Sequence, residues 1–375
     1  MIYLDYQATT RIAPEARDAM QPWLDAKYGN PHSPHRMGRE AAAAIAVARR
    51  QIVDLLIEGR PEAGQLYFTS GATEAANWAI KGTFSRLTPT RNRIVTVATE
   101  HACVLDSVRA LERFGADVVV LPVGANGLVD LDRAHAAIDE RTALVAAMLV
   151  NNEIGTIGPI AALGAIARAA GAMMFCDAVQ GLGRVTVPVE ACDLIALTAH
   201  KIHGPKGIGA LWIRHGCEPE PLLHGGGQEG GVRSGTLSPA LCVGFGTAAT
   251  IAQARLAADA TYVDRLNRRF RDALGPEWRV NGSLEQRYAG NLNLRREGLD
   301  VGRLMSELRD IAFSAGSACA SGSGRPSHVL KAIGLSDTEA RSSIRLGFGR
   351  YTTEAEIDEA AELINAAVAR QLEWA

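Results

Sequence analysis

The run Leu194-Ile-Ala-Leu-Thr198-Ala-His200-Lys201-Ile-His203-Gly204-Pro-Lys-Gly207 sets an apolar segment of strand length directly against a lysine and a glycine-rich turn. Just upstream, Met173-Met-Phe-Cys-Asp177-Ala-Val-Gln180 has the same form, an apolar run that ends on a carboxylate. Neither run alternates apolar with polar, so both read as strands buried on two faces of a mostly parallel sheet. Similar runs lie at Leu66–Thr69, Arg93–Ala98, Val118–Leu121, Leu144–Val150 and Gly209–Ile213. Segments of helical period fall between them, near Glu74–Arg86, Val104–Phe114, Leu131–Asp139 and Ile160–Ala170. This alternation predicts a large α/β domain with helices on both faces of the sheet. A helical stretch from about Pro239 to Phe270 leads into shorter strands mixed with helices, which predict a smaller α+β domain closed by an amphipathic helix near Glu354–Leu372.

The composition agrees with a globular protein of this size. The chain has 375 residues, 47% hydrophobic and 21% charged, so disorder, collagen and coiled coil are set aside. Its formal net charge is −2, from 39 basic and 41 acidic residues, and points to neither nucleic acid nor a membrane surface as partner. No run reaches the length of a bilayer span, and Met1-Ile-Tyr-Leu-Asp5 shows no export signal, which predicts a cytoplasmic protein. Cysteines 103, 176, 192, 217, 242 and 319 form no C-x-x-C pair, against both a disulfide framework and a structural zinc site.

The chemistry concentrates at strand ends. In open α/β sheets the carboxyl edge binds ligands, and Asp177 and Lys201 both stand there. A lysine in a partly apolar pocket can have a lowered pKa and form a Schiff base, and an aspartate that partners a pyridinium nitrogen completes the pattern for pyridoxal phosphate (PLP). Only five lysines exist; Lys81 and Lys331 fall in helices, Lys27 precedes a loop, and Lys206 lies inside the glycine turn. Thr69-Ser-Gly-Ala-Thr-Glu74, between a strand and a helix, offers backbone N–H groups and hydroxyls to an anion or simply a capped helix. There is no G-x-x-x-x-G-K-[ST], against a P-loop NTPase, and no G-x-G-x-x-G after the first strand, against a dinucleotide-dependent oxidoreductase. His200 and His203 lack a third metal ligand nearby, so no metal is expected. His101 can stack on a flat ring or move protons, and Arg345 can grip a carboxylate. Cys319 lies in Ser314-Ala-Gly-Ser-Ala-Cys319-Ala-Ser-Gly-Ser-Gly-Arg325, a small-residue stretch that favours an exposed, movable thiol.

Taken together these residues resemble the cysteine desulfurases of the IscS/NifS type, within the class V aminotransferases. The resemblance runs nearly end to end. It is carried by Tyr3-Leu-Asp-Tyr-Gln-Ala-Thr-Thr10, Gly29-Asn-Pro-His32, Thr69-Ser-Gly-Ala-Thr-Glu74, Thr99-Glu-His101, Val150-Asn-Asn152-Glu-Ile-Gly155 and Asp177-Ala-Val-Gln180. It continues through the segment around Lys201, Gly225-Gly-Gly-Gln228, Arg233-Ser-Gly-Thr236, Gly316-Ser-Ala-Cys319 and Ser343-Ile-Arg345. Two positions depart from many relatives: Ala199 stands in place of Gly, and Gly230 in place of Arg.

The resemblance implies a PLP-dependent transferase of fold type I, with a large PLP-binding domain over 14–256 and a small domain from 1–13 and 257–375. It implies that Lys201 carries PLP, that Asp177 pairs the ring nitrogen and Gln180 the ring hydroxyl, and that His101 stacks on the ring and assists proton transfer. Ala72, Thr73, Thr198 and His200 would bind the phosphate, with Thr236 reaching in from the second subunit of a homodimer. Asn152 and Arg345 would orient the carboxylate of L-cysteine. Cys319 would accept the sulfur as a persulfide, leaving L-alanine, and pass it to an acceptor or an iron–sulfur scaffold protein for cluster, thio-cofactor or tRNA biosynthesis. A selenocysteine lyase or an aminotransferase of the same fold is the alternative.

Overall fold

The computed structural model describes residues 1–57, 63–315 and 326–373. β1 (Ile2–Tyr3) opens the chain, followed by α1 (Pro14–Leu24) and α2 (Arg36–Leu56). Strands and helices then alternate through β2 (Gly64–Thr69), α3 (Ala72–Leu87), β3 (Arg93–Val97), α4 (Ala102–Glu112), β4 (Asp117–Leu121) and α5 (Leu131–Ala137). The series continues with β5 (Thr142–Met148), α6 (Ile160–Ala169), β6 (Met173–Asp177), β7 (Leu194–Thr198) and β8 (Gly209–Arg214). β2 to β8 form a seven-stranded sheet in the order β2-β8-β7-β6-β5-β3-β4. Every pairing is parallel except the two that β8 makes, with β2 and with β7. This is the mostly parallel mixed sheet that the apolar runs predict.

Both faces of the sheet are covered, which is why its strands lack polar alternation. On β6, Met174 and Cys176 face one core and Phe175 the other; on β7, Ile195 and Leu197 face the first, Leu194 and Ala196 the second. The first core is closed by α2 through Ile45, Ala48 and Ile52 and by α6 through Leu163 and Ala167. The second is closed by α3 through Trp78 and Ile80 and by α4 through Val104 and Val108. Phe175 is fully buried, and burial of a side chain of that size contributes about 2–3 kcal/mol.

One helix links this sheet to the second half of the chain. α7 (Pro239–Leu274) starts on Ser238, whose hydroxyl accepts from the Leu241 N–H, with Pro239 in the first turn; it stops at Gly275, whose φ of 89° suits glycine. Its 36 residues span about 54 Å at 1.5 Å per residue. Phe245, Ala248 and Ala252 pack into the first sheet core, whereas Val263, Leu266 and Phe270 pack into a separate core. α7 has the length and hydropathy of a membrane span, but Phe245, Val263, Leu266 and Phe270 are taken up by these two cores.

The separate core is built from β9 (Arg279–Val280), β10 (Asn291–Arg295), α8 (Val301–Glu307), β11 (Ile311–Ala312), α9 (His328–Ala332), α10 (Asp337–Arg341), β12 (Ser343–Gly347) and α11 (Glu354–Leu372). β10 is the centre of an antiparallel sheet in the order β12-β10-β9, and β11 pairs in parallel with β1. Leu4 thus joins Leu292, Leu346, Phe348 and Ile364 in one core, so the first residues of the chain belong with the last. We keep the division of the two domains near residue 256, within α7, as our proposal. The sheet register sets β12, and with it Arg345, opposite Asn293 of β10.

Candidate active site

A cavity of about 720 Å³ opens at the carboxyl ends of β5, β6 and β7. Its walls include Thr73, His101, Asn152, Asp177, Lys201 and, from β12, Arg345. Ala72, Gln180, Thr198 and His200 also line it. All the expected site residues of the described chain therefore meet here except Thr236, which is exposed on a segment away from this cavity of its own chain. Cys319 lies outside the described residues. Pro326, Ser327 and His328, a few positions beyond it in the chain, are part of the cavity wall.

At one end stands the start of α3. Its N-cap, Gly71, has no side chain to offer, and the N–H groups of Ala72 and Thr73 have no protein acceptor among the described residues. Glu74 faces away, accepting from the Ser70 N–H at 2.7 Å and pairing with Arg233 at 2.7 Å. An anion is therefore favoured at this end. His200 sits beside it, its Nδ1 3.1 Å from the Thr9 hydroxyl. Burial, with repulsion from Lys201 and Lys206, pushes this imidazole down to about 4, so it is neutral near pH 7. The Thr198 hydroxyl donates to the Ile208 carbonyl at 3.3 Å.

Lys201 follows β7 in a single helical turn, Ala199–Lys201. Its Nζ donates to the carbonyls of Gln7 and, at 2.7 Å, Ala8. Burial lowers its pKa to about 7, helped by the positive charges of Arg184 and Arg345 and opposed by Asp5 and Asp177. Asp177 ends β6, buried, with its Oδ1 accepting from the Val179 N–H at 3.0 Å. That is the only hydrogen bond to its carboxylate among the described residues. Burial raises its pKa, partly offset by Val179, His101 and Lys201. A cation set against its other oxygen would remove that penalty. His101 caps α4: its Nδ1 accepts from the Cys103 N–H at 3.1 Å, which leaves Nε2 to carry the ring proton.

Arg345 is 1% exposed. Its Nη2 donates to Asp5 at 2.8 Å and to the Ser314 hydroxyl at 3.2 Å, and its Nη1 donates to the Asn152 carbonyl at 3.1 Å. Its Nε is buried without a partner. Gln180 is engaged on two sides: its Nε2 donates to the Gln7 carbonyl at 3.0 Å, and its Oε1 accepts from Arg184.

Six residues in or behind this wall carry no expected role. Gln7, Cys103, Glu153 and His328 line the cavity, whereas Glu100 and Arg184 stand behind it. Three of them stand inside segments quoted for the resemblance, so the signal was their adjacency to His101 and Asn152 and to the opening Asp-Tyr-Gln. Glu153 accepts from the Ser327 hydroxyl, and the His328 ring bonds the Glu100 carbonyl at 2.9 Å.

Glu100 is 1% exposed. Its Oε1 accepts from the Met148 N–H at 2.7 Å and its Oε2 has no partner. Burial, with Asp177 nearby, holds this acid well above its ordinary 4.5. The unfolded chain ionises it above 4.5 and the folded chain does not, so the native state loses stability as pH rises past that point. Glu100→Gln keeps the acceptor and cannot ionise. Its unfolding free energy should be less pH-dependent than that of the wild type above pH 4.5, whereas Glu100→Ala should cost about 1–3 kcal/mol at pH 4.5 by orphaning the Met148 N–H, a cost that shrinks as pH rises and the wild type weakens. Urea unfolding across that range checks both; the same pH dependence in Glu100→Gln and wild type would mean that the buried acid ionises in the folded chain as it does in the unfolded one.

The profile of the class-V aminotransferases matches residues 2–360, and the chain belongs to that family. Within it, the chain is 46% identical over 371 residues to a protein named cysteine desulfurase IscS from Rickettsia bellii (strain OSU 85-389), covering 97% of this chain and 90% of the relative. A protein of the same name from Rickettsia rickettsii (strain Iowa) is 44% identical with the same coverage. Among solved structures, one described as a NifS-like protein superposes with a TM-score of 0.91 at 32% identity, covering 98% of this chain and 99% of its own. Another, described as SspA in complex with cysteine, superposes with a TM-score of 0.84 at 35% identity over 94% of this chain and all of its own.

Proposed function

We propose that this protein is a cysteine desulfurase that uses pyridoxal phosphate, converts L-cysteine to L-alanine and stores the sulfur on Cys319. The observation that carries the reading is the facing of Lys201 and Asp177, from neighbouring strand ends, into one cavity closed by Arg345. The cavity's residues fit the cofactor. The open turn at Ala72 and Thr73 suits a phosphate, and the unclaimed oxygen of Asp177 suits a protonated ring nitrogen. The Lys201 amine, titrating near 7, suits an aldehyde carbon. Bound there, pyridoxal phosphate supplies an electron sink that acidifies the α-carbon of an amino acid.

The residues divide the work. Arg345 and Asn152, which both line the cavity, orient the substrate carboxylate. Lys201, titrating near neutrality, takes the α-proton and later returns one. Asp177 would hold the proton on the cofactor's ring nitrogen, and His101, in the same cavity, would move protons there. The Cys319 thiolate attacks the substrate sulfur: an S–S bond forms, the C–S bond breaks, and its electron pair stays on carbon, where a proton completes alanine. Cys319 is left as a persulfide, whose outer sulfur passes to an acceptor protein. Thr236 completes the phosphate site of the second subunit in a homodimer located in the cytoplasm.

Product analysis tests the reading. With L-cysteine the protein should form alanine and, under reductant, sulfide. Activity confined to L-selenocysteine would make it a selenocysteine lyase, and amino transfer to a 2-oxo acid without sulfur release would make it an aminotransferase.

A further inference from the structure

Behind Lys201, outside the cavity itself, lies Arg184. The turn Gly181–Arg184, closed by the Arg184 N–H to the Gly181 carbonyl at 3.0 Å, delivers its guanidinium between the two residues expected to hold the cofactor. Nη1 donates to the Gln180 Oε1, and Nη2 donates to the Lys201 carbonyl at 2.7 Å. The guanidinium stands 5.2 Å from the Tyr288 ring centroid, and no carboxylate pairs with it among the described residues.

A guanidinium has donors only, so Gln180 must show it an oxygen. On its other side Gln180 meets the Gln7 carbonyl, an acceptor only, at 3.0 Å from its Nε2. Turning the amide over would set NH2 against the guanidinium and oxygen against the carbonyl, losing both bonds. The second hydrogen of that NH2 group remains to be given, and Gln180 lines the cavity.

We propose that Arg184 is a positioning residue that locks the Gln180 amide with its NH2 group available to the cavity, so that the site offers a hydrogen-bond donor to an anionic ring oxygen of the cofactor. The inference rests on the proposed function, since it takes the cavity to hold pyridoxal phosphate. Arg184 does not touch the cavity; it acts through Gln180 and through the Lys201 backbone. Its uncompensated charge also favours the neutral amine of Lys201.

The test is a double-mutant cycle read by the affinity of the apoprotein for pyridoxal phosphate, measured by equilibrium titration rather than by turnover. Arg184→Met should weaken binding about tenfold. In a Gln180→Ala background the same change should matter less than about twofold, because the group it positions is gone. Arg184→Lys, which keeps the charge and one donor, should weaken binding less than the Met change, again only where Gln180 is present; it carries the test if the Met variant does not fold. In the apoprotein, the pH midpoint of Lys201 acylation should rise by about one unit in Arg184→Met and stay in place in Arg184→Lys. Wild-type affinity in Arg184→Met, or a loss that persists undiminished without Gln180, overturns the proposal. If the wild-type protein takes up no pyridoxal phosphate on Lys201, as mapped after borohydride reduction, the proposed function itself has failed and this inference falls with it.

Discussion

Lys201→Ala removes the amine proposed to hold the cofactor and to move the α-proton, and turnover of L-cysteine should fall by about 10³-fold or more. The loss is expected to be chemical rather than structural. Lys201 contributes two hydrogen bonds, to the Gln7 and Ala8 carbonyls, at the cost of burying an amine whose pKa falls to about 7. In the wild-type apoprotein that burial weakens the native state below pH 10.5, because the unfolded chain holds a proton that the folded chain releases near 7. The Ala variant should therefore fold, gain in relative stability toward neutral pH, and lose the absorbance of lysine-bound pyridoxal phosphate. Visible spectroscopy, alanine assay and urea unfolding at two pH values check the three parts. Borohydride mapping of the wild-type cofactor to Lys206 instead would reassign the role, since Lys206 also reaches the cavity wall.

Cys319→Ser should abolish sulfur transfer while sparing the cofactor. A hydroxyl is scarcely ionised near neutral pH and cannot take up sulfur, whereas the residues proposed to bind pyridoxal phosphate lie on the sheet edge and the start of α3. The variant should keep the wild-type spectrum, bind L-cysteine, and lose both sulfide release and persulfide labelling, by about 10²-fold or more. Cys103 is the competitor to watch. It lines the cavity beside His101, but burial and the nearby carboxyl groups of Asp177 and Glu100 push its thiol far above the usual range, which makes it a poor thiolate. Cys103→Ala should leave activity largely intact.

How far the sequence carries can be judged from individual residues. The strands around Asp177 and Lys201 were legible because both sheet faces are covered, so their apolar runs have no polar gaps. α3, α4, α6 and α11 fall within a few residues of their expected bounds. α1 and α2 are not legible in the sequence. α2 is rich in alanine and arginine, and its apolar stripe of Ile45, Ala48 and Ile52 has a meaning only against α7 and the sheet. The chemistry of Asp177, His101, Lys201 and Arg345 could be argued from residue type at a strand end or turn. What surrounds them could not. The ion pair that seats Arg345 joins it to Asp5 across nearly the whole chain, and the sequence does not say that Arg184 faces Gln180 or that Glu100 is dry. Those facts follow from tertiary contact, to which local pattern is blind.

The central claim is that sulfur leaves L-cysteine for a thiol of this chain. A single turnover of the holoprotein with limiting L-cysteine, quenched with an alkylating agent and mapped by mass spectrometry, tests it most directly. One alanine should form for each persulfide sulfur, with that sulfur on the peptide that contains Cys319. Alanine without a protein-bound sulfur, or a persulfide on Cys103 in place of Cys319, would contradict it.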